Sequence, residues 1–207
     1  MKISIPGYTT TLHRYYLERK LKVILPRLKG PILDAGSKSR RYDYLLCEKP
    51  TAIDLVENKN HDIQKGDINA LSFENDSFRS VMCIEVLEYV HTPERALEEL
   101  SRVISPGGTL VLTVPFMYRE HGDSMRYTES YLKEKTSLFF SHVESVPIGN
   151  FYTTIFDILV GKIKEVPFSL VRYMLYMCAI PFFVCVPLSL CSKDRRYASG
   201  YCIVAVK

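Results

Sequence analysis

A chain of 207 residues, 47% hydrophobic and 24% charged, is long enough to bury the core of one ordinary globular domain. Its net charge of +4 comes from lysines and arginines scattered along the sequence, which excludes the basic stripe of a nucleic-acid-binding surface. Six cysteines with no CxxC pair and five histidines without ligand spacing exclude a disulfide framework and a zinc site, and suit a reducing, cytoplasmic setting.

The opening MKISIPGYTTTLHRYY lacks the uninterrupted apolar core of a secretion signal. Residues Tyr8 to Leu28 place Leu12, Tyr15, Tyr16, Val23 and Leu28 among basic residues, which predicts an amphipathic helix ending near Pro26. Next, Pro31 to Ser39 (PILDAGSKS) reads as a short apolar strand, an acid at Asp34 and a turn at Gly36. A helix is expected over Arg40–Cys47, and its opening amides would offer unpaired donors to a ligand. A second strand, Thr51–Ile53, ends in Asp54, and Gly66-Asp67-Ile68 follows. The strand Phe78–Ile84 ends at Glu85. Thr92 and Pro93 then open a helix as capping hydroxyl and first-turn proline, and Leu97, Leu100, Val103 and Ile104 form its buried stripe. Pro106-Gly107-Gly108 reads as a turn into the buried strand Thr109–Val114. Beyond a polar, aromatic stretch from Met117, Thr128 caps a helix over Glu129–Thr136. Ser141–Val146 and Gly200–Val206 read as the last two strands.

An acid and a glycine turn at a strand end mark the ligand-binding edge of an open α/β sheet. The order of these pieces resembles the class I S-adenosylmethionine-dependent methyltransferases, closest to the type 11 families, whose pattern runs LDxGxG, DxSFD, VLEHV, RVLxPGG. The resemblance covers roughly residues 29–128, with Tyr89 where the family places histidine and Ser37-Lys38-Ser39 where it repeats glycine. It implies a Rossmann-like, seven-stranded, mostly parallel sheet with helices on both faces, and S-adenosylmethionine as cofactor. Asp34 and Gly36 would lie at the methionine end, Asp54 would accept from the ribose hydroxyls and Asp67 would face the adenine amine, with Ser37, Leu55, Ile68 and Glu85 also in contact. A carboxylate, acceptor-only, suits a diol or an amino group; Asp67 also reads as an ordinary turn acid. The missing later glycines would hinder a dinucleotide pyrophosphate, so the departure argues against NAD more than against the methyl donor.

Surface-polysaccharide methyltransferases carry a PF…H…D…R-[YF]-T arrangement that Pro115, Phe116, His121, Asp123, Arg126, Tyr127 and Thr128 match. His121 is the candidate base, because its ordinary pKa is near neutrality; the alternative is a loop histidine bonded to Asp123 or to backbone. No residue set suggests a metal.

The chain divides as an N-terminal helix (1–28), a cofactor core (29–148), an apolar helical insertion (149–199) and a last strand (200–207), within one domain. Residues 173–192 carry no charge, but Pro181 and Pro187 are expected to break the run into pieces too short to span a bilayer. The apolar stretch 166–191 needs cover from its own domain, from the second subunit of a homodimer, or from a membrane it touches peripherally. Lys162, Lys164, Arg172, Lys193, Arg195 and Arg196 flank it and favour anionic lipid slightly. The reading is a methyltransferase acting on a small-molecule, sugar or lipid-linked acceptor. Its rivals are a non-catalytic scaffold of the same fold and an NAD-dependent oxidoreductase.

Overall fold

Short runs of apolar residues between glycine turns build a parallel sheet. The computed structural model describes residues 11–118, 122–184 and 195–207, with the side chains of 180–184 left aside. The strands are β1 (Ile32–Ala35), β2 (Thr51–Asp54), β3 (Gln64–Lys65), β4 (Phe78–Ile84), β5 (Ile104–Pro115), β6 (His142–Ile148) and β7 (Gly200–Val206). They form one seven-stranded sheet in the order β3-β2-β1-β4-β5-β7-β6. β1 lies parallel to both β2 and β4, and β4 parallel to β5. The last two strands make the one antiparallel hairpin: Ser141 N donates to Val206 O, while Ser199 N donates to Ile148 O at the other end. The expected Rossmann-like sheet is therefore the fold observed.

The chain forms two compact units. The larger takes in the described residues of 21–116, 120–146 and 201–207, and carries most of the sheet. Its core is built where strands meet: Leu33, Val81, Met82, Leu110, Val111 and Leu112 are all fully buried. Burying each such side chain contributes about 1.5–3 kcal/mol relative to leaving it in water. Helices α2 (Pro93–Val103) and α3 (Glu129–Ser137) belong to this unit, and Thr128 caps α3 as expected, accepting from Tyr131 N.

Three sequence expectations fail here for local reasons. No α-helix follows β1. Lys38 and Arg40 adopt left-handed backbone at φ 50° and 52°, and only a 3-10 turn at Asp43–Leu45 remains. The Arg40 guanidinium locks that shape, donating to Asp43 Oδ2 (2.7 Å), Asp62 O (2.8 Å) and Pro50 O (2.9 Å). Thr92 does not cap α2: its hydroxyl donates instead to Asn69 Oδ1 at 2.9 Å. Pro106-Gly107-Gly108 is no free turn but an irregularity inside a twelve-residue β5. Gly107 N donates to Lys207 O and Lys207 N donates to Gly108 O, which ties the irregular stretch to the end of β7.

The smaller unit takes in the described residues of 1–20, 117–119 and 147–200. Helix α1 (Leu12–Ile24) begins here, and a 3-10 turn containing Pro26 follows it, close to the expected stop. Asp157 receives the amides of Leu12 (2.8 Å) and His13 (2.7 Å), so an acid distant in sequence closes the helix start. The buried His13 ring meets Ser199 Oγ at 2.9 Å, and that hydroxyl donates onward to Ile148 O. The hydroxyl proton is thereby committed, which assigns the imidazole proton to Nδ1. Helix α4 (Phe151–Glu165) opens with a capping box, Asn150 Oδ1 accepting from Thr153 N and Thr153 Oγ1 accepting from Asn150 N.

Helix α5 (Ser169–Val184) runs through Pro181 rather than breaking there. The proline has no amide to donate to the carbonyl of residue 177, so the described helix continues past it at the cost of that one bond. Pro187 lies outside the described residues. Among the described residues, no helix is long and apolar enough to cross a membrane.

Candidate functional site

The carboxyl ends of β1, β2 and β4 open into a crevice of about 750 Å³. Gly36, Asp54, Leu55, Asp67, Ile68 and Glu85 line it, as the sequence suggested; Asp34 and Ser37 do not. Asp34 turns into the larger unit, 5% exposed and held by Ser37. Burial pushes its carboxyl up to about 7, against the Ser37 hydrogen bond, which lowers it. Asp34 thus supports the turn from beneath.

Gly36 is required twice over. Its φ of +85° is left-handed, and a Cβ there would meet Val86 Cγ2 at 2.4 Å. Behind it every amide of the loop is already engaged. Gly36 N and Ser37 N both donate to Ile53 O at 2.9 Å, Lys38 N donates to Asp54 Oδ2 at 3.0 Å, and Ser39 N and Arg40 N donate to Ser37 O. The unpaired donors expected after the glycine are absent from this loop, because the chain coils on itself instead of entering a helix. Such a loop cannot cradle a pyrophosphate, whose recognition needs free amides at a helix start.

Asp54 ends β2 with its carboxylate fixed: Oδ2 accepts from Lys38 N and Oδ1 from Val56 N at 3.3 Å. Each oxygen keeps acceptor capacity toward the crevice. Asp67 forms a turn of its own, Oδ1 accepting from Asn69 N (2.8 Å) and Nδ2 (3.2 Å), while it lines the crevice. The turn-acid reading holds, and the same residue also lines the crevice. Leu55 and Val56 line the mouth with 66% and 74% of their surface exposed, a surface that an apolar occupant would cover.

Glu85 closes the opposite wall in left-handed backbone, φ 57°. Its amide donates to Thr113 O at 3.0 Å, and its Oε1 accepts from Thr113 Oγ1 at 3.3 Å. A non-glycine residue held this way costs about 1–3 kcal/mol, and such outliers concentrate at functional sites. The wall continues through Val86, Tyr89, Val90, His91 and Thr92. Tyr89 stands in the place of the family's histidine and is partly exposed; burial raises its hydroxyl pKa above the ordinary value. Sequence reasoning missed Lys38, Asn58, Asn69 and His91 as lining residues. The signal for His91 was its place two residues beyond Tyr89, on the segment leaving β4.

The loop after β5 is stitched to this wall. Ser124 N and Met125 N donate to Glu88 O, and Tyr127 Oη donates to Leu87 O at 3.2 Å. Arg126 pairs with Asp123 at 2.5 Å and donates to Phe116 O at 3.1 Å, so it and Tyr127 anchor the turn. His121 lies outside the described residues. No group of three metal-ligating side chains occurs among the described residues.

Comparison with known proteins agrees with this geometry. A family model described as a methyltransferase domain, type 11, matches residues 39–112. No curated protein matches the chain by sequence. Among solved structures, a SAM-dependent methyltransferase from Archaeoglobus fulgidus is similar at TM-score 0.62 and 14% identity, over 94% of this chain and 94% of that one. One from Thermotoga maritima gives TM-score 0.61 and 15% identity, over 95% and 91%. Phosphoethanolamine N-methyltransferase 2 of Haemonchus contortus, in complex with S-adenosyl-L-methionine, gives 0.58 and 16%, over 93% of this chain and 52% of its own. At these identities the structures attest the fold, and the family match falls on the strands and loops that build the crevice. Residues 39–112 match a type 11 methyltransferase-domain family, and the chain has the fold of the S-adenosylmethionine-dependent methyltransferases it resembles.

Proposed function

We propose that the crevice takes S-adenosylmethionine with Asp54 accepting from the ribose hydroxyls, Asp67 facing the adenine amine beside Ile68 and Leu55, and Gly36 and Glu85 at the methionine end. The observation that carries this reading is the pairing of two strand-end acids with a glycine loop that has no amide to spare. Acceptor groups suit a diol and an amine, and the closed loop suits a donor without phosphate. Asp34 and Ser37 are proposed to act through the shape of the turn.

The bound donor supplies an already activated methyl group on a sulfonium, so the protein's task is alignment and exclusion of water. Asp54 is held for that by two backbone amides before any ligand arrives. Leu55 and Val56 supply apolar cover at the mouth. Where the acceptor must lose a proton, His121 is the proposed base. The acceptor is proposed to be a small molecule or a sugar, lipid-linked if the apolar segment 166–191 touches a membrane peripherally.

Isothermal titration with S-adenosylhomocysteine and with NAD tests the site. The first should bind and the second should not. Asp54→Ala should weaken S-adenosylhomocysteine by about 1–3 kcal/mol, the loss expected when buried hydroxyls go unpaired. His121→Ala should leave that affinity unchanged while slowing turnover. An Asp54→Ala protein with wild-type affinity removes Asp54 from the site, and NAD binding would return the oxidoreductase reading.

A further inference from the structure

Helix α5 leaves apolar side chains in solvent that a helix covering a protein core would bury. Its apolar positions Leu170, Tyr173, Met174 and Met177 fall at i, i+3, i+4 and i+7, the spacing of a single helical stripe. That stripe faces solvent: the four residues are 72%, 63%, 59% and 49% exposed. Phe168, at 70%, extends it from the preceding turn, and Ile158 on α4 is also about half exposed. A cluster of this size is unusual on a soluble surface and marks a place where something docks.

The flank of the same stripe is basic and aromatic. Lys164, at the end of α4, with Ser169, Arg172, Tyr173 and Tyr176 of α5, lines a second cavity of about 530 Å³. Arg172 and Tyr176 are one turn apart, so the guanidinium and the phenol share one edge of the apolar stripe. Among the described residues, no acid lines this cavity. From Val166 to Val184 the sequence holds no Asp or Glu at all, and Arg172 is its one charged residue.

We infer that α5 lies in the interface of an anionic bilayer, its stripe among the acyl chains, with Lys164 and Arg172 receiving a lipid phosphate between Tyr173 and Tyr176. This deepens the membrane-contact reading above and rests on it. Each chemical element has a counterpart in such a surface. Apolar side chains bury to the headgroup boundary, basic groups meet anionic headgroups, and tyrosine has an apolar ring and a polar tip suited to the border between them. Among the described residues no helix is long and apolar enough to cross a membrane, and the sixteen described residues of α5 suit lying along its surface. A second copy of this chain fits the stripe less well, because an isologous contact through residues 166–184 brings Arg172 to a surface that holds no Asp or Glu to pair with it.

The test is flotation of the full chain with vesicles of phosphatidylcholine alone and of phosphatidylcholine with phosphatidylglycerol. The intact protein should float with the anionic vesicles and far less with the neutral ones. Lys164→Gln/Arg172→Gln should lower the partition coefficient about thirtyfold, the combined effect of two basic residues at an anionic surface. Leu170→Ser/Met174→Ser should abolish flotation on both. S-adenosylhomocysteine affinity should be unchanged in both variants, which shows that they fold and keeps this inference separate from the cofactor site. Failure to methylate any lipid-linked acceptor, with flotation intact, would remove the acceptor reading alone. The inference is overturned if the intact protein stays in the soluble fraction, if the charge variant floats like wild type, or if sedimentation shows a concentration-dependent dimer that Leu170→Ser/Met174→Ser dissociates.

Discussion

Gly36 is where the backbone, the packing and the ligand edge meet. The left-handed φ of +85° excludes a side chain on conformational grounds, and the 2.4 Å approach to Val86 excludes it on steric ones. These two effects separate by mutation. Gly36→Ala should destabilise the protein by about 2–4 kcal/mol, combining the left-handed penalty with overpacking against Val86. Adding Val86→Ala should recover the steric part and leave roughly 1–2 kcal/mol of conformational cost. Urea unfolding of the single and double variants reads this directly. Full recovery in the double variant would mean that the left-handed turn is not what requires glycine. The neighbouring Glu85 accepts a similar left-handed backbone without being glycine, and what holds it there is its double link to Thr113.

Among the elements, α2 shows how one side chain ties the segment Leu71–Asn75 to a helix. Arg102 donates through Nη1 to Phe73 O (2.8 Å) and Asn75 Oδ1 (2.9 Å), and through Nη2 to Leu71 O (2.9 Å) and Glu99 Oε2 (2.9 Å). Glu99, itself 4% exposed, also accepts from Leu71 N. The planar fork serves several acceptors in fixed directions, which a lysine ammonium cannot do. Arg102→Lys should therefore destabilise by about 1–3 kcal/mol through stranded carbonyls, measured by urea denaturation at neutral pH. A change below about 0.5 kcal/mol would place Arg102 among ordinary surface ion pairs. The strands were legible in the sequence because their apolar runs and glycine borders need no distant partner to be recognised. The acids at Asp54 and Asp67 were legible for the same reason, being fixed by position after a strand. What was hidden depended on contacts between distant residues. Arg40 reads as a helix residue until Pro50 and Asp62 claim its guanidinium, and Thr92 reads as a cap until Asn69 takes its proton. Asp34 reads as a site acid until burial turns it inward.

Over the whole molecule, the buried acids of the larger unit set how stability responds to pH. Glu88 is fully buried, and neither carboxyl oxygen has a hydrogen-bond partner among the described residues. Burial, helped by the charge of Glu85, pushes its pKa up from 4.5 to about 8. Asp34 moves the same way, from 3.8 to about 7. For both, the folded state holds the proton after the unfolded state has released it. Their contribution is therefore fully present below the unfolded values and is lost as pH rises to the folded ones, across a window from about 4 to about 8. Asp62, Glu94 and Glu99 are shifted the other way, by Lys49, Tyr131 and Arg102 respectively, so they weaken the fold only as pH falls below the ordinary carboxylate range. The first two are exposed to solvent, where such pairs contribute little, so the buried acids dominate. Maximal stability should fall near pH 5, on the acid side of neutrality. Glu88→Gln removes one of the two titrations and keeps the side-chain size. Between about pH 5 and pH 8, wild type should lose on the order of 3 kcal/mol more than Glu88→Gln, since each pH unit spent between the two pKa values shifts stability by about 1.4 kcal/mol. Urea unfolding at four pH values across that window measures both slopes. Parallel slopes would show that Glu88 ionises in the folded protein at its ordinary pKa, and that the turn at Leu87–Tyr89 admits water to its carboxylate.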